Sequence, residues 1–228
     1  MTSEVNKRLL TSILLILIVS FAFFYSFVLI ILLILISIFS WIEFKGLINK
    51  IIIGERYIDK ILKLSFIAIT LIYLFYFSTV VFKEVSQVQL SEKINIIYFL
   101  SICISSDIGG FLFDKILKGK KLTKISPNKT YSGMFGSFIL SLLFSYLFLQ
   151  LTTIFHYLKF NSINTLIFIL LISLISQVGD IIISYFKRKS KIKNTGNIIP
   201  GHGGLLDRID GMIFAFPFSY ILIELGFI

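Results

Sequence analysis

An all-α polytopic membrane protein, with about seven transmembrane helices and a polar site at the cytoplasmic interface, is the fold class this sequence predicts. Three observations carry the prediction. The 228 residues are 57% hydrophobic and only 15% charged, with a mean hydropathy of +0.94, too little polar surface to cover a soluble domain of this size. Apolar runs near the roughly 20 residues needed to cross a bilayer recur along the whole chain. Between them, cation-rich and cation-poor connections alternate.

The spans follow in order. Residues 9–44 are too long for one crossing and are read as two, joined tightly near Tyr25–Ser26. The remaining spans are 61–82, 95–113, 134–157, 163–183 and 209–226. The first apolar run exceeds a signal-peptide core and lacks a small-residue cleavage site, so it reads as a retained anchor. Residues 1–94 are taken as an N-terminal transmembrane part of about three spans, and 95–228 as the part carrying the chemistry. No span carries a Gly-xxx-Gly repeat that would mark a helix-dimer face, which leaves a homodimer open.

Loop charge sets the orientation. Lys7 and Arg8 outweigh Glu4, and Lys45, Lys50, Arg56 and Lys60 outweigh Glu55 and Asp59. Six lysines face Asp114 alone in 114–131, and six cations face Asp207 alone in 184–208. The intervening connections are neutral or nearly so. The alternation puts the N-terminus on the cytoplasmic side and the C-terminus on the far side. The net charge of +10 thus belongs to loops lying against anionic headgroups. Aromatic residues fall within spans rather than among the cations, so no nucleic-acid surface is predicted. Cys103 is the only cysteine, which excludes a disulfide framework and a thiolate metal cluster.

Carboxylates at bilayer depth cost about 2.5–3.5 kcal/mol and are paired, metal-bound or functional. Asp107 lies deep in the fourth span, Asp180 ends the sixth, and Asp207 and Asp210 stand three apart where the seventh begins. A salt bridge would satisfy any one of them. Three that converge on one side call for a divalent cation, and oxygen-only ligands favour Mg²⁺ or a similar hard ion over zinc. Lys187, Arg188, Lys189, Lys191, Lys193 and Arg208 stand around them. Pro200-Gly201-His202-Gly203-Gly204 provides a backbone able to turn its N–H groups toward phosphate, ahead of a helix N-terminus. Carboxylates, a hard cation and basic side chains together are equipment for phosphoryl or nucleotidyl transfer.

These residues resemble a known family. Gln177-x-Gly179-Asp180, Ser184-x-x-Lys187-Arg188, Lys193-Asn194-x-Gly196 and Pro200-Gly-His-Gly-Gly-x-x-Asp207-Arg-x-Asp210 are similar to the C-terminal signature of phosphatidate cytidylyltransferases, the CDP-diacylglycerol synthases. Asp107-x-Gly-Gly and Ile125-Ser126-Pro127-Asn128-Lys129-Thr130-Tyr131-Ser132-Gly133 resemble the family's aspartate-glycine span and its Ser-Pro-Lys-Lys-Thr-Trp-Glu-Gly loop. The likeness runs from about Ser106 to the C-terminus. It departs at Asn194, which stands for Asp, at Tyr131-Ser132, which stand for Trp-Glu, and at Asn128, which stands for Lys. Against a bacterial member the N-terminal part is short, implying that one or more peripheral spans are absent.

The resemblance implies that CTP and phosphatidic acid react to CDP-diacylglycerol and pyrophosphate, with Mg²⁺ (or Mn²⁺), on the cytoplasmic side of the cell membrane in phospholipid biosynthesis. It implies Asp180, Asp207 and Asp210 as metal ligands, with Asp107 a further carboxylate. Lys187, Arg188 and Arg208 would neutralise phosphates, and Ser126 and Lys129 would organise the triphosphate or the lipid headgroup. Ser184, Gly203 and Gly204 would line the phosphate site. His202 would donate to phosphate or brace its glycine turn. Three other readings stand beside this one: a cytidylyltransferase or CTP-dependent kinase for an ether-linked or polyprenyl lipid, an inactive relative, and an ion transporter using the membrane carboxylates.

Overall fold

The computed structural model describes residues 11, 13–14, 17–22, 24–86, 90–123, 125–126, 129–152, 163–199 and 203–227. It is helical, as predicted. The helices are α1 (Ser26–Ile51), α2 (Tyr57–Val85), α3 (Leu90–Leu117), α4 (Tyr131–Thr152), α5 (Ile163–Lys189), α6 (Leu206–Ile209) and α7 (Met212–Glu224). Among the described residues there is no strand; the only β-type pairings are the isolated bridges Lys121–Thr130 and Ile199–Gly203. Five helices, α1 to α5, are long and apolar enough to cross a membrane. At 1.5 Å per residue even the 22 residues of α4 reach about 33 Å.

The chain forms two compact units that are discontinuous in sequence. One contains residues Met1–Ser86 and Phe186–Ile209, the other Gln87–Tyr185 and Asp210–Ile228. The first therefore takes up part of the motif-bearing stretch along with α1 and α2.

In the first unit α1 buries a helical stripe, Leu29, Leu33, Ser40, Phe44 and Leu47, with Glu43 beside it. Two polar contacts fix α1 on α2. Ser37 Oγ meets Ser78 Oγ at 2.6 Å, and Trp41 Nε1 donates to Ile67 O at 3.1 Å. The Phe186 ring packs edge-on against Phe44. The expected break near Tyr25 is present: the backbone is helical at Phe24 and again from Ser26, and Tyr25 between them is extended (φ −118°, ψ 104°). Ile30, Ile34 and Ile38 on α1 and Phe75 on α2 stand exposed, as side chains facing hydrocarbon do.

In the second unit α3 and α4 approach closely through glycines. A Cβ at Gly109 would overlap the Gly136 carbonyl and stand 3.0 Å from Leu140 Cβ, and one at Gly136 would overlap Phe113. Ser137 Oγ donates to Ser106 O at 2.7 Å, and Ser106 Oγ meets Ser173 Oγ of α5 at 2.8 Å. Such interhelical hydrogen bonds and small-residue contacts hold helices together where lipid removes the hydrophobic drive. Phe99 touches Phe168 of α5 and Phe216 of α7.

Three differences from the expected spans bear most on the charged residues. The α1 helix runs on to Ile51 and α5 to Lys189, so Lys45, Lys50, Lys187 and Arg188 sit on helices rather than in loops. Cations at the last turn of α5 complement its dipole and prolong it past the apolar stretch. The seventh span is not one continuous helix. It is divided into the four-residue α6 and the 13-residue α7 by a turn at Asp210–Gly211, and α7 covers only about 20 Å. Asp207 and Asp210 thus do not share the face of a single helix.

The glycine contacts make a test of this packing. Gly109→Ala should cost about 1–3 kcal/mol by overpacking against the α4 backbone. Gly46→Ala, in mid-helix with nothing within 4 Å of the new methyl, should gain roughly 0.5–1 kcal/mol. Thermal unfolding of the two variants in detergent should move the midpoint in opposite directions.

Candidate active site

The second unit encloses a polar cavity of about 250 Å³ whose lining includes Asp107, Asp114, Ser126, Lys129, Gln177 and Asp180. Four of the residues singled out from the sequence, Asp107, Ser126, Lys129 and Asp180, therefore line one space. On its wall the Lys129 ammonium forms an ion pair with Asp180 and reaches toward Gln177 O at 3.5 Å. Ser184 Oγ, one turn further along α5, donates to Asp180 Oδ1 at 3.3 Å. The loop between α3 and α4 carries Lys129 into place. It folds back on itself through Leu122 N–H to Lys129 O (2.8 Å) and Tyr131 N–H to Lys120 O (2.9 Å).

The residue after Lys129 explains why that fold is held. Thr130 caps α4, its Oγ1 accepting from Gly133 N–H at 3.1 Å. Asp114, at the end of α3, accepts both the Thr130 N–H (2.9 Å) and the Thr130 hydroxyl (2.5 Å). Ser132, where the resembled motif has Glu, joins the network: its Oγ meets Thr130 Oγ1 at 2.6 Å and accepts from Gly119 N–H at 3.2 Å. Asp114 and Thr130 are not visible as site residues in the sequence, because an aspartate next to a lysine-rich loop looks like an ordinary surface charge.

In the first unit the signature loop is organised around Asp207. Its Oδ1 accepts from Lys187 Nζ at 2.8 Å. Its Oδ2 accepts from Thr195 N–H (2.8 Å) and Gly204 N–H (3.2 Å). Burial alone would push this carboxyl up, but the Lys187 ammonium and the two amides outweigh it and hold Asp207 below the usual carboxylate range. Gly203 sits at φ +86°, a conformation that suits glycine, and Ile199 N–H donates to Gly203 O at 3.0 Å. Arg188 and Arg208 are exposed. Asp210, which belongs to the second unit, lies in the turn before α7 and accepts from Gly211 N–H at 3.0 Å. Its carbonyl passes so near Gly179 that a Cβ there would stand 2.7 Å away. His202 lies outside the described residues.

Beneath this loop is a residue that the sequence does not single out. Glu43, only 5% exposed, reaches from α1 to accept from Thr195 Oγ1 (2.7 Å), Leu205 N–H (2.9 Å) and Leu206 N–H (2.9 Å). The available signal was the one that picks out Asp107, a lone carboxylate in an apolar run, here Trp41-Ile42-Glu43-Phe44.

Among the described residues no group of three or more His, Cys, Asp or Glu side chains is poised to hold a metal ion. The donor chemistry still suits magnesium, which binds through one or two carboxylates and completes its shell with water and substrate phosphate oxygens. Asp107 and Asp180 on the wall of one cavity supply that set.

Comparison with known proteins bears on what this equipment serves. The chain is 36% identical over 143 residues to the phosphatidate cytidylyltransferase of Bacillus subtilis (strain 168), covering 61% of this chain and 52% of the relative. It is 39% identical over 135 residues to that of Rickettsia prowazekii (strain Madrid E), covering 58% and 59%. To that of Helicobacter pylori (strain J99 / ATCC 700824) it is 37% identical over 129 residues, covering 56% and 46%. The chain thus spans about half the length of the curated relatives it matches. The sequence model of the cytidylyltransferase family matches residues 47–226, which takes in both the cavity and the signature loop, and this chain belongs to that family.

Proposed function

We propose that this chain transfers the cytidylyl group of CTP to phosphatidic acid, giving CDP-diacylglycerol and pyrophosphate. The observation that carries the reading is the cavity in which Lys129 and Asp180 set an ammonium against a carboxylate among helices long enough to span a membrane. Family membership and the names of the relatives supply the reaction. A volume of about 250 Å³ suits phosphate groups rather than a whole nucleotide.

In the proposed step a lipid phosphate oxygen bonds to the α-phosphorus of CTP. The bond from that phosphorus to the α–β bridging oxygen breaks, and pyrophosphate leaves with the electron pair. The lipid phosphate, with a second pKa of about 6, is already a competent nucleophile near neutral pH, so no side chain need serve as general base. Lys129 exchanges Asp180 for phosphate oxygens and offsets their charge. Ser126 lies on the same wall to donate a hydrogen bond. Arg188 and Arg208 are the cations we assign to phosphate, whereas Lys187 is assigned to holding Asp207 in its loop. Asp180 and Asp107 would hold a magnesium or manganese ion, which when bound supplies charge neutralisation at the phosphate oxygens. The basic loops favour a cytoplasmic placement of the site, where CTP is available.

Purified protein given phosphatidic acid and α-labelled CTP should place label in the lipid fraction and release pyrophosphate, only when Mg²⁺ or Mn²⁺ is added. Lipid label arising from γ-labelled CTP instead would make the chain a kinase and overturn the proposal. Two carboxylate variants separate the roles drawn here. Asp180→Asn should abolish transfer in folded protein. Asp207→Asn should lower turnover at saturating Mg²⁺ by roughly 10²-fold through a displaced loop, without moving the Mg²⁺ concentration for half-maximal rate. A shifted Mg²⁺ requirement in Asp207→Asn would make that residue a ligand.

A further inference from the structure

The signature loop is held only in part by its own residues. Three of its donors, the Thr195 hydroxyl and the Leu205 and Leu206 N–H groups, converge on one carboxylate supplied by α1. The two N–H groups stand at the start of α6, where no carbonyl within the helix can reach them. Glu43 therefore acts as a cap from outside the loop's own sequence. Its 5% exposure makes each bond count for more than it would at a surface, since a charged acceptor removed from water strengthens the bonds it receives.

Two glycines of the signature leave room for that carboxylate, Gly204 also for the Thr195 hydroxyl bound to it. A Cβ at Gly196 would overlap Glu43 Oε1 and stand 3.0 Å from its Cδ. A Cβ at Gly204 would stand 2.6 Å from Glu43 Oε2 and 2.7 Å from Gly196 N. Both are motif glycines, and the sequence reading assigns Gly204 to the phosphate site. Asp207 hangs on the same segment, through the amides of Thr195 and Gly204 that flank the Glu43 contacts. Glu43 itself lies outside residues 47–226, the part matched by the family model.

We propose that Glu43 is a positioning residue for the transfer reaction: its carboxylate fixes the conformation at Thr195 and at residues 204–206 and, through them, the placement of Asp207 and Lys187. The functional part of the chain accordingly begins in α1. This inference rests on the proposed activity, but the contact behind it can be read without any activity.

The test has two arms. In wild-type protein, amide hydrogen exchange at Leu205 and Leu206 should be slow, and Glu43→Gln should speed it by about 10- to 100-fold, the loss expected for bonds to a charged acceptor. In the turnover assay, Glu43→Gln should lower kcat per folded molecule by roughly 10²-fold, and Glu43→Asp should recover part of it. A role confined to stability would instead reduce the folded yield and leave the rate per folded molecule unchanged. That result, or fast exchange at Leu205 and Leu206 in the wild type, overturns the proposal. Should Glu43→Gln fail to fold, Thr195→Val decides in its place: it removes one donor, should cost kcat about tenfold, and an unchanged rate per folded molecule overturns the proposal equally. A wild-type protein that transfers nothing defeats the proposed function and with it the positioning role, while the exchange rates at Leu205 and Leu206 still decide whether the contact exists.

Discussion

A backbone amide that leaves a helix loses its helical partner, and where packing shields it from water it has to find another in the protein itself. The two irregular stretches that carry the site solve the problem with carboxylates. Asp114 takes the amide and hydroxyl of Thr130 and so closes the loop that carries Lys129. Glu43 and Asp207 divide the donors of the signature loop between them, meeting on Thr195, which gives its hydroxyl to one and its amide to the other. A carboxylate accepts about four hydrogen bonds, so a single side chain can replace a turn's worth of missing helix partners.

This solution ties the shape of the site to its charge. Carboxylate acceptors are stronger than carbonyls, but they leave negative charge among groups proposed to bind phosphate. Lys187 answers that charge at Asp207, and Lys129 answers it at Asp180. The structure thus has two lysines of the same sign and different duty. One is committed to an acidic group that also receives two backbone amides. The other faces a cavity, paired with a carboxylate whose serine contact is long at 3.3 Å, and is the easier of the two to reassign to a substrate.

Much of this was legible in the sequence, for physical reasons that differ by element. Hydropathy is additive along a helix, so α1 to α5 could be placed from apolar runs, and even the break at Tyr25 followed from a run too long for one crossing. Hydropathy fails at helix ends. Lys45, Lys50 and Lys187 are good helix formers that a hydrophobic window assigns to loops, and the helices continue through them. The division at Asp210–Gly211 was hidden because it depends on tertiary approach: a Cβ at Gly211 would meet Ser176 O of α5 at 2.9 Å. Within the site, Asp180 and Lys129 stood out as residue types in motifs, yet their pairing joins α5 to a distant loop and no spacing rule reaches that far. Glu43 was missed because its partners are mostly backbone amides, which every residue but proline has and no motif displays.

The same amides alter how the glycine turn is to be understood. Read as sequence, Gly203-Gly204 before a helix promises N–H groups turned toward phosphate. In the structure Gly204 N–H is given to Asp207, and the next two amides, those of Leu205 and Leu206, are given to Glu43. The positive end of this turn is already occupied by anions of the protein, and the helix behind it is four residues long, too short to add an appreciable dipole. A phosphate brought to these amides would have to displace two carboxylates, both held in place by further bonds. The proposed phosphate contacts therefore fall to side-chain cations rather than to these amides, and Gly196 and Gly204 leave room for the Glu43 carboxylate that takes the amides up.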